Sequence, residues 1–207
     1  MTIRHIIGTI GAAFTALLLA TSPADAGRIT PVEGLELLRK GFAGVTDFTA
    51  DITQEKQIAL MKRKLVSTGT VRFRKPDLFY LELFPPHASR VLLKDTTLTM
   101  FLPAEGVRQK IVLPPEEGLL RWITLLDRPV TKIPEGVNIQ ADQRGDTVTL
   151  TILPSAKGGV KELQLLLGSD GRLRRLSIEE RNRDRTVITF TRLRKNVGLA
   201  DKDFRLE

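Results

Sequence analysis

Reactive chemistry needs reactive side chains within reach of one another, and this chain offers few. It has no cysteine and only two histidines, His5 and His87. Without thiols there is no disulfide, no thiolate metal site, no cysteine nucleophile and no lipid carried on a cysteine of this chain. His87 follows Pro85 and Pro86 in a turn-like stretch. General-base work there would need an orienting carboxylate and a nucleophile, which no local pattern supplies, so His87 reads as a surface residue. The carboxylate pairs Glu116/Glu117 and Glu179/Glu180 are adjacent in sequence. Neighbours on a strand face opposite ways, and acidic residues in a first helical turn answer the helix dipole, so neither pair reads as an acid/base couple. No Gly-rich phosphate loop leads from a strand into a helix. The expectation is a protein that is not an enzyme and takes no cofactor and no metal.

Composition points to a folded chain: 207 residues, 42% hydrophobic and 27% charged, enough for one domain with a core or a core plus a cavity. Arg4 precedes an apolar run from Ile6 to Ala20, and Ala24 and Ala26 fit the small-residue positions of a signal-peptidase site. We therefore expect residues 1–26 to be an export signal cleaved after Ala26, leaving a domain of residues 27–207 outside the cytoplasm. No later stretch approaches the ~20 apolar residues of a membrane span. A net charge of +8 would suggest nucleic acid for a cytoplasmic protein, and export removes that partner. Anionic head groups, an acidic partner or plain solubility remain, because the basic residues form no single dominant run.

The elements follow from periodicity. Thr30 and Glu33 make a capping box around Pro31, and Leu35, Leu38 and Phe42 recur at helical spacing until Gly41 and Gly44. From Asp47 the period becomes two, with Phe48, Ala50, Ile52 and Gln54 on one face of a strand that continues past Leu60. Further strands are expected at about Lys64 to Arg74, Phe79 to Leu83, Val91 to Leu93, Leu98 to Leu102 and Val107 to Val112. Phe79, Leu81 and Leu83 share one face, while Leu78, Tyr80, Glu82 and Phe84 make the other too apolar to be fully wetted. Either both faces are covered, or one lines a space that binds something apolar.

Leu113 to Leu126 breaks the strand pattern. Pro114, Pro115, Glu116 and Glu117 suit a first turn, and Leu119, Trp122, Ile123 and Leu126 make an apolar helical stripe. Packing on an ordinary core and covering a cavity are both open readings of that stripe. Strands then resume at Val137 to Ala141, Val148 to Ile152, Leu163 to Leu167, Arg172 to Glu180 and Thr186 to Leu193, with the Gly168, Ser169, Asp170, Gly171 turn as the strongest hairpin signal. Many consecutive strands with two helical inserts imply one curled antiparallel sheet with helices on one side.

Phe48, Thr49, Ala50 and Gln54, then Gly69, the run from Arg74 to Phe79, Leu98 to Pro103, and Gly168 to Gly171 occur in an order that resembles the periplasmic lipoprotein carrier (LolA) family. The resemblance covers most of the chain after residue 26. It implies a mainly β fold: a single curved antiparallel sheet forming an unclosed half β-barrel, covered by short helices as a lid over a hydrophobic cavity. It also implies a periplasmic chaperone that takes acyl chains of lipoproteins from an inner-membrane ATP-driven release complex and delivers them to an outer-membrane acceptor, most simply as a monomer. On that reading Phe73, Phe79, Leu81, Leu83 and Met100 line the acyl cavity, and Leu119, Trp122, Ile123 and Leu126 close it. Lys75 stands where the family usually has an arginine that latches the lid, so a looser latch is expected unless Arg74 substitutes. The Asp95, Thr96 turn and the missing aromatic near Thr99 are further departures. They point to a divergent member, serving lipoproteins, another lipid such as a glycolipid or polyene lipid, or a lipid-sensing module.

Overall fold

The computed structural model describes residues 29–60, 63–113, 115, 119–154 and 159–206, and for residues 121, 122 and 125 the backbone alone. The expected signal peptide, residues 1–26, lies outside the described residues.

Helix α1 (Pro31–Gly41) begins at the expected capping box: the Glu33 N–H donates to Thr30 Oγ1 at 3.2 Å, and the Thr30 N–H donates to Glu33 Oε2 at 2.7 Å. Six strands follow: β1 (Asp47–Ile58), β2 (Arg63–Arg74), β3 (Leu78–Leu83), β4 (Ser89–Lys94), β5 (Thr97–Leu102) and β6 (Val107–Val112). After helix α2 (Leu119–Leu126) come β7 (Asn138–Arg144), β8 (Thr147–Leu153), β9 (Val160–Gly168), β10 (Leu173–Glu180) and β11 (Arg185–Lys195), then a 3-10 turn, Asp201–Phe204. The β1 strand stops at Ile58 instead of running past Leu60, whose side chain is 95% exposed and has no face to cover. Helix α2 starts at Leu119. Of the expected first turn, residues 114, 116 and 117 lie outside the described residues.

All eleven strands form one antiparallel sheet that does not close, in the order β6-β5-β4-β3-β2-β1-β11-β10-β9-β8-β7. Two meanders are therefore joined along β1 and β11, and the two edges, β6 and β7, are the strands on either side of α2 in sequence. The segment between them must travel from one edge of the sheet to the other. Within it, α2 packs on the concave side, where Leu119 and Ile123 meet the buried residues of β1, β2 and β3.

Alternation decides what each face meets. Phe48, Ala50 and Ile52 on β1, Val71 and Phe73 on β2, and Leu81 and Leu83 on β3 form a buried cluster on the concave face. A second concave cluster joins Leu35 and Leu38 of α1 to Val148, Leu150 and Ile152 of β8. The convex face of β3 is covered as well. Tyr80 is buried under Phe204 and Leu206, with Leu78, Leu92 and Phe101 beside them. The Arg74 guanidinium stands 5.2 Å over the Phe204 ring, and Arg72 donates to the Asp203 carbonyl at 2.9 Å. The chain thus buries both faces of β3, by its own C-terminal segment on one side and by the concave clusters on the other.

Candidate functional site

Between the two concave clusters the packing leaves a cavity of about 320 Å³. Its wall is assembled from four places. Leu35, Leu38 and Phe42 come from α1 and the residue after it, because a helical stripe at i, i+3 and i+7 points one way. Phe48, Phe73 and Phe79 come from three neighbouring strands, Phe48 opposite Phe73 and Phe73 opposite Phe79 in register. Their rings form a tilted series with Phe42: Phe42 to Phe48 is 5.6 Å between centroids and Phe48 to Phe73 is 5.2 Å. The far half of the sheet supplies Leu163 and Leu165 of β9 with Leu173 and Leu176 of β10. Leu119, Ile123 and Leu126 of α2 form the roof.

Among the described residues Lys75 is the one charged side chain in the lining, and its Nζ pairs with the Asp127 carboxylate just after α2. That ion pair ties down the C-terminal end of the roof. The other end is held by the β4–β5 turn, where Asp95 takes a left-handed φ of 49°. Its carbonyl accepts from the Leu119 N–H at 3.2 Å and its Oδ1 accepts from the Leu120 N–H at 3.2 Å. Asp95 therefore caps a helix from a distant turn, supplying acceptors that the orphan N–H groups of a helix start require. A third tie runs to α1: the Val130 N–H donates to Glu36 Oε2 at 3.0 Å, and Arg39 holds the same carboxylate. Arg39 and the Val130 N–H together pull the Glu36 pKa down to about 2.

Of the residues named from sequence, Phe73, Phe79, Leu119, Ile123 and Leu126 line the cavity. Leu81 and Leu83 share the face of Phe79 but are buried in the solid cluster and offer it no surface. Met100, two strands further out on β5, is not in the lining, because the roof begins at the β4–β5 turn and runs away from β5 toward α1. The Trp122 side chain lies outside the described residues. Arg74 does not substitute in the latch. It points from the convex face to the Leu199 carbonyl, the Asp201 carboxylate and the Phe204 ring, since adjacent residues at the end of β2 face opposite ways. Of these two residues, Lys75 is the one that pairs with the roof segment among the described residues, and its partner is a carboxylate. Sequence reading missed Leu35, Leu38 and Phe42 and the four leucines of β9 and β10 as lining. Their apolar spacing was plain, but which of them shared a space was not.

A half-open β sheet with a helical roof tied by polar contacts over an apolar hollow defines a class of protein built to enclose an apolar ligand. The family model for outer membrane lipoprotein carrier protein LolA matches residues 43–207, and the chain belongs to that family. No curated protein sequence matches it. Among solved structures, a LolA superfamily protein from Nitrosomonas europaea is 13% identical, with 86% of this chain and 98% of that one covered at a TM-score of 0.47. An outer membrane lipoprotein-sorting protein domain from Vibrio parahaemolyticus is 16% identical over 84% of this chain and 97% of that one, at a TM-score of 0.46. A DUF1329 family protein from Desulfovibrio piger is 15% identical over 86% and 98% respectively, also at 0.46.

Proposed function

We propose that this protein is a periplasmic carrier that shelters the acyl chains of a lipoprotein or lipid and moves them from the inner toward the outer membrane. The observation that carries the reading is the cavity: among the described residues its lining is apolar except for Lys75, and it is roofed by a helix held at three polar points. On this reading an inner-membrane ATP-driven complex supplies the cargo and an outer-membrane acceptor receives it.

Energetics make a carrier necessary for such cargo. Burying a methylene is worth ~0.8 kcal/mol, so three chains of about sixteen carbons would cost on the order of 40 kcal/mol to expose to water. That exceeds the roughly 18 to 21 kcal/mol at which non-covalent affinity saturates. Cargo of this kind crosses water only under cover, and it exchanges only while the carrier is docked. The cavity, about 320 Å³, is roughly twice the ~150 Å³ void that admits one benzene ring. The limited space supports a second reading, carriage of a lipid with fewer chains than a triacylated protein.

Mass spectrometry of whatever co-purifies with the protein from the periplasm tests both readings. Acylated protein supports the first, a glycolipid or polyene lipid supports the second, and recovery of no lipid or lipoprotein in repeated preparations would reject the carrier. Phe79→Glu places a carboxylate in the apolar wall, which is costly to bury. It should release the cargo with the circular dichroism spectrum unchanged, and cargo retained in that variant would remove Phe79 from the site.

A further inference from the structure

Strand β6 ends the sheet, and all six of its residues are exposed. β5 pairs with one side of its backbone, and the other side presents N–H and C=O groups to which no strand among the described residues is bonded. Arg108 and Lys110 stand on the convex face, opposite Phe101 and Thr99 in register. Val107, Gln109 and Ile111 stand on the concave face beside Leu102, Met100 and Leu98. Val107 and Ile111 remain 40% and 48% exposed, so the apolar concave surface runs out to the very edge. Arg108 lies 5.5 Å over the Phe101 ring, and among the described residues neither it nor Lys110 forms an ion pair. The other edge is different. On β7, Ile139 is buried and Arg144 is paired with Asp142 at 2.9 Å.

We propose that β6 is a docking edge that takes an extended segment of a partner protein as an added strand, one in which apolar and acidic residues alternate. Three physical arguments select this occupant. A free ladder is satisfied by another backbone, whereas a bilayer interior leaves such groups unmet at a cost of several kcal/mol each. Alternation dictates the side chains: apolar residues of the added strand would continue the surface of Val107 and Ile111, while its acidic residues would face Arg108 and Lys110. A second copy of this chain is disfavoured, because the two near-central antiparallel registers of β6 with itself that keep its apolar faces together set Arg108 opposite Lys110 or Lys110 opposite itself. The inference is independent of what the cavity holds.

The test uses an eight-residue synthetic peptide alternating glutamate and valine, a lysine/valine counterpart, and phosphatidylglycerol vesicles, each added to the full-length protein. Hydrogen exchange by mass spectrometry reads protection over residues 107–112. Glutamate/valine peptide should slow exchange there, and added salt should weaken the effect. The double variant Arg108→Glu, Lys110→Glu should bind it about ten-fold more weakly or worse, since two opposite-charge cross-strand pairs become like-charge pairs. Both residues are exposed, and an unchanged thermal midpoint would show the variant folded. No protection from the acidic peptide, equal protection from the lysine/valine peptide, or unaltered affinity in the double variant would overturn the proposal. Protection by vesicles without protection by peptide would also overturn it and assign the edge to a membrane surface.

Discussion

At the residue scale, the polar contacts that hold the roof are few among the described residues, and their strength can be read one side chain at a time. The Lys75–Asp127 pair is partly solvated, with side chains 31% and 49% exposed, and surface pairs of that kind contribute about 0–1 kcal/mol. A tie of that size holds a helix without sealing it. Glu36 is the more informative of the ties because it titrates. Its carboxyl is lowered from 4.5 to about 2, chiefly by the Arg39 hydrogen bonds and then by the Val130 N–H. A carboxylate with a depressed folded pKa stabilises the fold fully above its unfolded value, and that contribution fades as pH falls from 4.5 to about 2. In urea titrations Glu36→Gln should therefore be less stable than the parent at pH 7, with the difference vanishing near pH 2. A difference that stayed constant across that range would mean that the charge of Glu36 is irrelevant.

At the scale of elements, close contacts at particular residues seat each helix. Gly41, at the end of α1, lies against Gly171 in the β9–β10 turn, and a Cβ on Gly41 would collide with the Gly171 carbonyl. Gly171 itself has a φ of +74°, which glycine alone adopts without penalty. Gly41→Ala should lift α1 off the turn at a cost of about 1–3 kcal/mol, the usual range for over-packing, and lower the urea midpoint accordingly. Helix α2 depends instead on Asp95. Asp95→Ala removes its side-chain acceptor and puts alanine at a positive φ, at a cost of about 1–2 kcal/mol. Because the loss is local, amide exchange should accelerate over residues 119–126 while the sheet stays protected. Exchange that rose everywhere would show the helix to be part of the global unit.

For the whole molecule, the fold makes opening a matter of one segment. The strands form a continuous ladder from β6 to β7, whereas the roof touches it through side chains and the three ties described above. Carriage then requires the roof to move while the sheet holds still. The absence of cysteine allows a clean clamp: Lys75→Cys with Asp127→Cys, bridged by a short bis-maleimide. The clamped protein should neither take up nor release a fluorescent fatty acid, and the unbridged double variant should exchange it faster than the parent. Undiminished uptake in the clamped form would exclude the roof as the gate.

Much of this was legible in the chain itself. The capping box at Thr30, the two-residue period from Asp47, the meander after Gly69 and the hairpin at Gly168 place the helices and strands, because local pattern and turn chemistry act over a few residues. The order of its short motifs also marked the LolA family. The wall of the cavity was not legible. It depends on β1 pairing with β11, a contact between Phe48 and Lys195 and the residues that follow them in register, which brings Leu163, Leu165, Leu173 and Leu176 round to face Phe79. Alternation tells which side chains share a face of one strand, but not which strand lies beside it. Nor does it distinguish Leu81, locked in a packed cluster, from Phe79, two residues away on a void, because the hydrophobic effect has no direction and rewards burial against either.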